Sequence, residues 1–86
     1  MDWKAKAIEL VYEYTQSHID KTDKVEFKKD NVFIVWFCKT LQNAKCLVAT
    51  NLPVGMYYEV TFDGDKEKIY LDAYKKFENV QHEWDD

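Results

Sequence analysis

Apolar residues recur every three or four positions along the first part of the chain. Between residues 3 and 19 they form a broad stripe with polar side chains on the far side, which is typical of an amphipathic helix. The stripe comprises Trp3, Ala7, Ile8, Leu10, Val11, Tyr14, His18 and Ile19. Asp2 comes directly before it, and because a carboxylate there accepts N–H groups of the first turn, we predict that Asp2 caps the helix.

The pattern changes to that of β-strands in the middle of the chain. The predicted strands lie at residues 25–27, 32–38, 44–50 and 56–63. The second of these mixes β-branched and aromatic residues without a break, so we expect it at the centre of the sheet, covered on both faces. A turn at residues 52–55, with Gly55 in the left-handed conformation, joins the last two strands.

A second amphipathic stretch follows the sheet. Asp63-Gly64-Asp65 reads as a turn and helix cap, and the apolar residues after it recur at helical spacing. They are Ile69, Tyr70, Ala73, Tyr74, Phe77, Val80 and Trp84. The sequence therefore predicts an α+β fold: helix, three- or four-stranded antiparallel sheet, helix, with a single layer of helices on one sheet face. Residues 1–86 are expected to form a single domain.

Composition and charge limit the protein classes that fit this fold. The 86 residues carry 12 basic and 16 acidic side chains, a net charge of −4, and every basic residue is Lys. No apolar run approaches the roughly 20 residues of a spanning helix, and no leader precedes the first helix, so we expect a cytoplasmic protein without a membrane partner. Two cysteines, expected as free thiols, agree with a reducing compartment.

Candidate catalytic and metal-binding residues are few. His18 and His82 lie on separate predicted helices, and neither is near a nucleophile at a useful spacing. Cys38 and Cys46 are eight positions apart, whereas a zinc site needs closely paired ligands. Asp63-Gly64-Asp65 lacks the full calcium-loop pattern. The sequence thus predicts no enzyme, no metal and no cofactor.

Nucleic acid is also a poor fit, although the predicted element order is that of the double-stranded RNA-binding domain. Residues 46–86 carry four Lys against nine acidic residues. Phosphate binding needs a basic face and favours Arg, which is absent. A basic region at residues 21–45, with six Lys against three acids, could receive an acidic partner or a nucleotide phosphate, or simply protect an edge strand.

The strand pairing predicts a surface. The hairpin at residues 52–55 places Cys46, Val48, Tyr58 and Val60 on the helix side, and the opposite face shows Lys45, Leu47, Ala49, Tyr57, Glu59 and Thr61. The strand at residues 32–38 adds one of two sets to that opposite face. These sets are Phe33, Val35 and Phe37, or Val32, Ile34 and Trp36. Either set leaves an apolar patch, which implies an interface or a helix that crosses to cover it.

The candidate binding site follows from this patch. Trp36 (or Phe37), Leu47 and Tyr57 would be its anchors, because aromatic residues dominate binding energy. The polar rim would comprise Lys39, Gln42, Asn43, Lys45 and Glu59.

Three stretches carry a resemblance to a known family: residues 35–43 (VWFCKTLQN), 55–61 (GMYYEVT) and 70–79 (YLDAYKKFEN). They resemble a family of short proteins from phages and prophages of low-GC Gram-positive bacteria, described only as a domain of unknown function. The resemblance covers most of the chain from Val32 to Asn79. It implies a phage origin and no chemistry, since the family offers no catalytic residues to carry over.

The expected function is therefore that of a non-enzymatic phage accessory protein that binds and modulates a host or defence protein. The alternative is an oligomeric sponge for a nucleotide signal, with the base stacked on Trp36 or Tyr57 and the phosphate held by Lys39 or Lys45. Binding of double-stranded RNA ranks third. Partners to be tested are thus a host protein, a second copy of the chain and a nucleotide.

Overall fold

The chain folds as one helix packed on a four-stranded antiparallel sheet. The computed structural model describes residues 2–19, 27–52 and 55–84. A single α-helix, α1 (Trp3–His18), is followed by a short 3-10 turn at Lys29–Asn31. The strands are β1 (Val32–Thr40), β2 (Asn43–Thr50), β3 (Met56–Asp63) and β4 (Lys68–Lys75). They pair in chain order as a meander, β1-β2-β3-β4, which confirms the α+β class.

The first helix forms as the sequence predicts. The Asp2 carboxylate accepts a hydrogen bond from the Ala5 N–H at 3.1 Å, so the predicted cap is present. The helix buries one stripe, Ala7, Val11 and Thr15, whose spacing of four residues keeps them on one side. That stripe faces the sheet and leaves the polar side chains of α1 in solvent.

The core lies between α1 and the sheet. The predicted inward residues of the central hairpin are all buried: Cys46, Val48, Tyr58 and Val60. Phe62 joins them, and Trp3 packs edge-on against its ring at 4.8 Å between centroids. The Thr15 hydroxyl, the buried polar group of α1, donates to the Tyr58 hydroxyl at 3.4 Å. Fully burying such side chains contributes about 1.5–3 kcal/mol each, and this layer is therefore the main source of stability.

A β-bulge in β1 changes the predicted pattern. Ile34 lies opposite Val48 and Trp36 lies opposite Leu47, so Val35 has no partner on β2. Since side chains alternate along a strand, the extra residue moves Trp36 to the opposite side of the sheet from Ile34. Neither predicted register of β1 is right: Val32, Ile34 and Phe37 face α1, whereas Phe33 and Trp36 face away. In addition, β1 is an edge strand and not the central one.

The second predicted helix is wrong, and the helix–sheet–helix order with it. Its first half is β4, whose register places Tyr58 opposite Ala73 and Val60 opposite Leu71. The Asp63 carboxylate does accept the Lys66 N–H at 3.2 Å, but this local bond closes a hairpin turn instead of opening a helix. Residues 76–84 form neither helix nor strand. The only helix in the described part of the chain is therefore α1.

Two other predictions fall partly outside the described residues. The short strand at residues 25–27 is described only at Phe27, which is buried and stacks on Tyr12 at 5.5 Å. Of the turn at residues 52–55, Gly55 has a φ of +68°, in agreement with the predicted left-handed conformation. Within the described residues, the helix is too short and too polar to cross a membrane.

Candidate functional site

The side of the sheet opposite α1 is the candidate site, and we call it the open face. Strand pairing arranges its side chains in rows that run across all four strands. The first row is Phe33, Ala49, Tyr57 and Tyr74; the second is Trp36, Leu47, Glu59 and Asp72; the third is Cys38, Lys45, Thr61 and Tyr70. Within residues 2–19, 27–52 and 55–84, no helix or strand covers these rows.

The open face is rich in exposed aromatic rings. Trp36 is 52% exposed and Phe33 45% exposed, although both belong to a strand. Tyr57 and Tyr74 lie opposite each other on β3 and β4, and their rings stack at 5.2 Å with an angle of 14° between the planes. A cross-strand aromatic pair contributes about 0.2–1 kcal/mol, so the Tyr57–Tyr74 contact stabilises one part of this exposed surface.

Charges on the open face are nearly balanced. The Lys45 ammonium lies 3.4 Å from the Glu59 carboxylate, and both side chains are partly exposed. Asp72 lies opposite Glu59 on β4. The Glu59 carboxylate, above all, raises the pKa of Tyr74, with smaller contributions from partial burial, Asp72 and Tyr57, while Lys45 opposes the shift. An exposed ion pair contributes little stability, about 0–1 kcal/mol. This pair lies on the two central strands, and exposed aromatic side chains lie around it.

Six of the eight predicted site residues lie on the open face: Trp36, Asn43, Lys45, Leu47, Tyr57 and Glu59. The choice between Trp36 and Phe37 as an anchor is resolved by the bulge, because Phe37 lies opposite the buried Cys46 and faces α1. Lys39 also lies on the helix side, opposite the buried Ala44.

Lys39, Gln42 and Asn43 lie in or beside the β1–β2 turn, where they contact the backbone. The Lys39 ammonium donates to the Leu41 carbonyl oxygen at 2.9 Å, and the Asn43 side-chain oxygen accepts the Gly64 N–H at 3.0 Å. Gln42 approaches Gly64 so closely that a Cβ there would overlap its carbonyl oxygen. Leu41 itself has a φ of +56° and is 83% exposed. A non-glycine residue in this conformation is strained. The turn therefore exposes the apolar Leu41 side chain at a cost in conformational energy.

Sequence reasoning missed three residues of this region, Leu41, Tyr70 and Tyr74, whereas Phe33 belonged to one of the two sets predicted for the open face. Tyr70 and Tyr74 were assigned to a helical core, yet the alternation of Tyr70, Asp72 and Tyr74 also fits a strand with one face exposed. A run of Ile, Tyr and Leu with aromatic neighbours favours the strand. The sequence of this stretch therefore contains a strand pattern as well as a helical one.

A shallow groove crosses the third row of the open face. It has a volume of about 260 Å³ and is lined by Trp36, Cys38, Thr40, Asn43, Ala44, Lys45 and Thr61. The groove offers one aromatic surface, one ammonium group and several hydroxyl or amide groups to a ligand.

The arrangement of cysteines and histidines gives no support to a metal centre. Cys38 is exposed on the open face, whereas Cys46 is buried under α1, where burial raises the pKa of its thiol and Lys4 partly offsets the shift. The His18 ring stacks on Tyr14, and its Nδ1 lies 2.7 Å from the Tyr14 carbonyl oxygen. In the part of the chain that the structure describes, no three His, Cys, Asp or Glu side chains are grouped to hold a metal ion.

Comparison with known proteins agrees with the resemblance at the family level. No curated protein and no solved structure shows significant similarity to the chain. A family model described as a family of unknown function (DUF6275) matches residues 4–84, which is nearly the whole chain and includes every residue of the open face. The chain therefore belongs to the DUF6275 family.

Proposed function

We propose that the protein acts by binding another protein through the open face. The observation that carries this proposal is a set of exposed rings on a sheet face that no helix or strand of the described residues covers: Phe33, Trp36, Tyr57, Tyr70 and Tyr74. Aromatic residues at the centre of a patch are the usual source of binding energy in protein interfaces. Monomeric proteins seldom expose such a group without a function for it.

The size of the open face indicates how a partner would sit. Four strands at about 4.8 Å spacing and about seven residues of length give a surface of roughly 19 by 24 Å, or about 450 Å². A stable interface buries about 800 Å² on each partner, so a bound protein would extend beyond the sheet. The exposed Leu41 at the β1–β2 turn and the open end of the groove lie next to the face and would provide that extension.

The charges favour a protein over a nucleic acid as the partner. On the open face Lys45 is already paired with Glu59, and Asp72 adds a second carboxylate. Nucleic-acid binding depends on the release of counterions by unpaired basic groups, which this surface lacks at its centre. The element order that favoured an RNA-binding module is also absent, since β4 replaces the helix that would carry its basic groups.

The resemblance to phage and prophage proteins supports a narrower form of the proposal. A small phage protein without catalytic groups that exposes a preformed binding surface is suited to inhibit or redirect a host enzyme or a defence protein. This step rests on analogy between proteins of similar size and source, whereas the open face is the physical feature that would do the binding.

The test compares two matched aspartate substitutions. Trp36→Asp changes a half-exposed ring in the second row of the open face, on the edge strand β1, and Phe77→Asp changes a ring that is 98% exposed outside the sheet. Each variant and the original protein would be used to capture partners from a bacterial lysate, and the captured protein would then be purified for direct binding measurements. We expect Trp36→Asp to weaken binding about 30-fold or more, as for a hot-spot residue, and Phe77→Asp to leave it unchanged.

Circular dichroism of both variants would establish that they remain folded. Equal binding by Trp36→Asp and the original protein would contradict the proposal. Loss of binding in Phe77→Asp alone would indicate that residues 76–84, and not the open face, contact the partner.

A nucleotide ligand is the second candidate function, and the groove beside Trp36 is the observation that favours it. The indole could stack on a base, and Lys45 could reach a phosphate if it left Glu59. A thermal-shift assay with cyclic dinucleotides and ADP-ribose tests this directly. Stabilisation that is lost in Lys45→Ala would support the sponge, and no shift with any nucleotide at millimolar concentration would exclude it.

A further inference from the structure

The two edge strands of the sheet differ in how they are protected. β1 is interrupted by the bulge at Val35, and a bulge is a common device in edge strands that must not pair with another chain. Lysine does not distinguish the two edges, since Lys39 lies near the end of β1 and Lys68 and Lys75 lie at the two ends of β4. β4 is an unbroken strand of eight residues without proline, and its only interior charge is Asp72. By this comparison, β4 is the edge that is suited to accept a further strand.

The helix side of β4 is also incompletely covered. α1 packs across β1, β2 and β3, and a cleft of about 330 Å³ separates Trp3 at its start from Ile69 on β4. Ile69 is 39% exposed, and Ala73 on the same side is exposed as well. An exposed edge with apolar side chains on it is unfavourable in a free monomer, because both backbone and side chains can pair with another copy.

The hydrogen bonds identify which backbone groups of β4 point outward. The Lys76 N–H donates to the Gly55 carbonyl oxygen at 2.7 Å, which extends the β3–β4 ladder by one residue. Hydrogen-bonded residues alternate along an antiparallel strand, so the even-numbered residues of β4 bond to β3. The N–H and C=O groups of Ile69, Leu71 and Ala73 therefore point away from the sheet.

We propose that β4 pairs antiparallel with β4 of a second copy of this chain, with Leu71 opposite the partner's Leu71. A two-fold axis at this position keeps both helices on the same side of the sheet. Ile69 then faces the partner's Ala73, and each copy would provide the same three outward residues for about six new backbone hydrogen bonds. Apolar side chains meet along the helix side, where each monomer leaves them exposed.

Charges disfavour one of the two neighbouring registers. With Leu71 at the centre, Glu67 faces the partner's Lys75. Asp72 faces the partner's Tyr70, whose side chain carries a hydroxyl group and no charge. Moving the axis by one residue would place Asp72 against the partner's Asp72 and Lys68 against the partner's Lys76. Like charges directly opposite each other destabilise a strand pair, so the Leu71 register is favoured over that one. Moving the axis the other way, onto Tyr70, would place Lys68 against the partner's Asp72, and the disulfide experiment below distinguishes that register from the Leu71 register. The dimer would hold one eight-stranded sheet, built from two four-stranded ones, with a continuous open face.

The first experiment measures the oligomeric state of the full chain by analytical ultracentrifugation. Ala73→Pro removes an outward N–H that the monomer does not use, and proline is tolerated at such edge positions. Ala73→Lys keeps the backbone but places a charge opposite the partner's Ile69 twice in each dimer, which should weaken dimerisation about tenfold. Val35→Lys, at the other edge, is the matched control and should leave the dimer unchanged.

We expect a dimer for the original protein and for Val35→Lys, and a monomer for Ala73→Pro, with circular dichroism showing that the variants are folded. A protein that is monomeric at all concentrations would overturn the proposal. A dimer that resists both Ala73 variants but dissociates in Trp36→Asp would also overturn it, because the open face would then be the dimer interface. The proposed binding function would still be tested separately, by the partner-binding measurements on Trp36→Asp and Phe77→Asp.

A disulfide experiment tests the register. In a Cys38→Ser background, Leu71→Cys should form a disulfide-linked dimer on mild oxidation, because directly opposite Cα atoms lie about 5.5 Å apart. Asp72→Cys should not, since the two thiols would be offset along the strands. Cross-linking at position 72 and not at position 71 would contradict the Leu71 register.

Discussion

Ile34 and Trp36 lie two positions apart on β1, yet their side chains point to opposite faces of the sheet. Ile34 faces Val48 in the core, and Trp36 faces Leu47 on the open face, because Val35 is an extra residue without a partner on β2. The bulge therefore decides which aromatic residues of β1 stabilise the fold and which are available to a binding partner.

The consequence for stability is a large difference between adjacent aromatic residues. Phe37 is partly buried on the helix side, with the Lys4 ammonium 5.0 Å from its ring centre, whereas Trp36 is half exposed. We expect Phe37→Ala to lower the free energy of unfolding by about 2 kcal/mol or more, and Trp36→Ala by about 0.5 kcal/mol. Urea unfolding monitored by circular dichroism measures both. Equal losses would show that the bulge does not divide the two side chains in this way.

A second prediction concerns the contact between the β1–β2 and β3–β4 turns. A Cβ at position 64 would overlap the carbonyl oxygen and Cβ of Gln42, and the backbone there has little room to move. We expect Gly64→Ala to destabilise the protein by about 1–3 kcal/mol. Gly55→Ala is the matched control: its Cβ would meet only the Lys76 side chain at 3.4 Å, although the φ of +68° adds strain of about 1 kcal/mol. A smaller loss for Gly64→Ala than for Gly55→Ala would contradict this account.

Parts of the fold were predictable because local signals and burial agree there. The Asp2 cap, the stripe of Ala7 and Val11 and the alternation around Cys46 and Val60 all have one consistent interpretation, and the structure confirms them. The open face could be predicted from the same alternation, since a hairpin with one buried side must present its other side.

Other parts could not be predicted because two patterns compete. Residues 69–74 fit both a helical period and a strand period; their residue types favour the strand, and pairing with the free edge of β3 decides the outcome. Asp63 gives no help, since its bond to the Lys66 N–H is common to helix starts and to hairpin turns. The bulge at Val35 likewise depends on the pairing of β1 with β2. The sequence of β1 alone therefore does not predict it.

A third prediction concerns the two thiols, which lie on opposite sides of the sheet. Cys38 is exposed on β1, whereas Cys46 is fully buried and burial raises the pKa of its thiol. Because the thiolate is the reactive form, we expect one thiol per chain to react rapidly with a disulfide reagent in the native protein and both to react in denaturant. Cys38→Ser should abolish the fast reaction, and a fast reaction that persists in this variant would show that Cys46 is accessible.

The last prediction uses the position of Tyr74 beside two carboxylates. Glu59, with Asp72, raises the pKa of Tyr74 above its usual value of 10.0. A group whose pKa is raised by folding stabilises the protein at pH values below its unfolded pKa, and that contribution is lost as the pH rises through the folded pKa. The stability of the protein should therefore fall above about pH 10 as Tyr74 loses its proton.

Glu59→Gln removes the main cause of this shift, so we expect the pKa of Tyr74 to move back toward 10.0. The phenolate absorbance during alkaline titration measures the change, and Tyr74→Phe identifies which part of the signal belongs to this residue. Asp65→Asn, in the β3–β4 turn, is the control with the same loss of charge and should leave the titration of Tyr74 unchanged. If the phenolate titration of Glu59→Gln were the same as that of the original protein, Glu59 and Tyr74 would not interact on the open face.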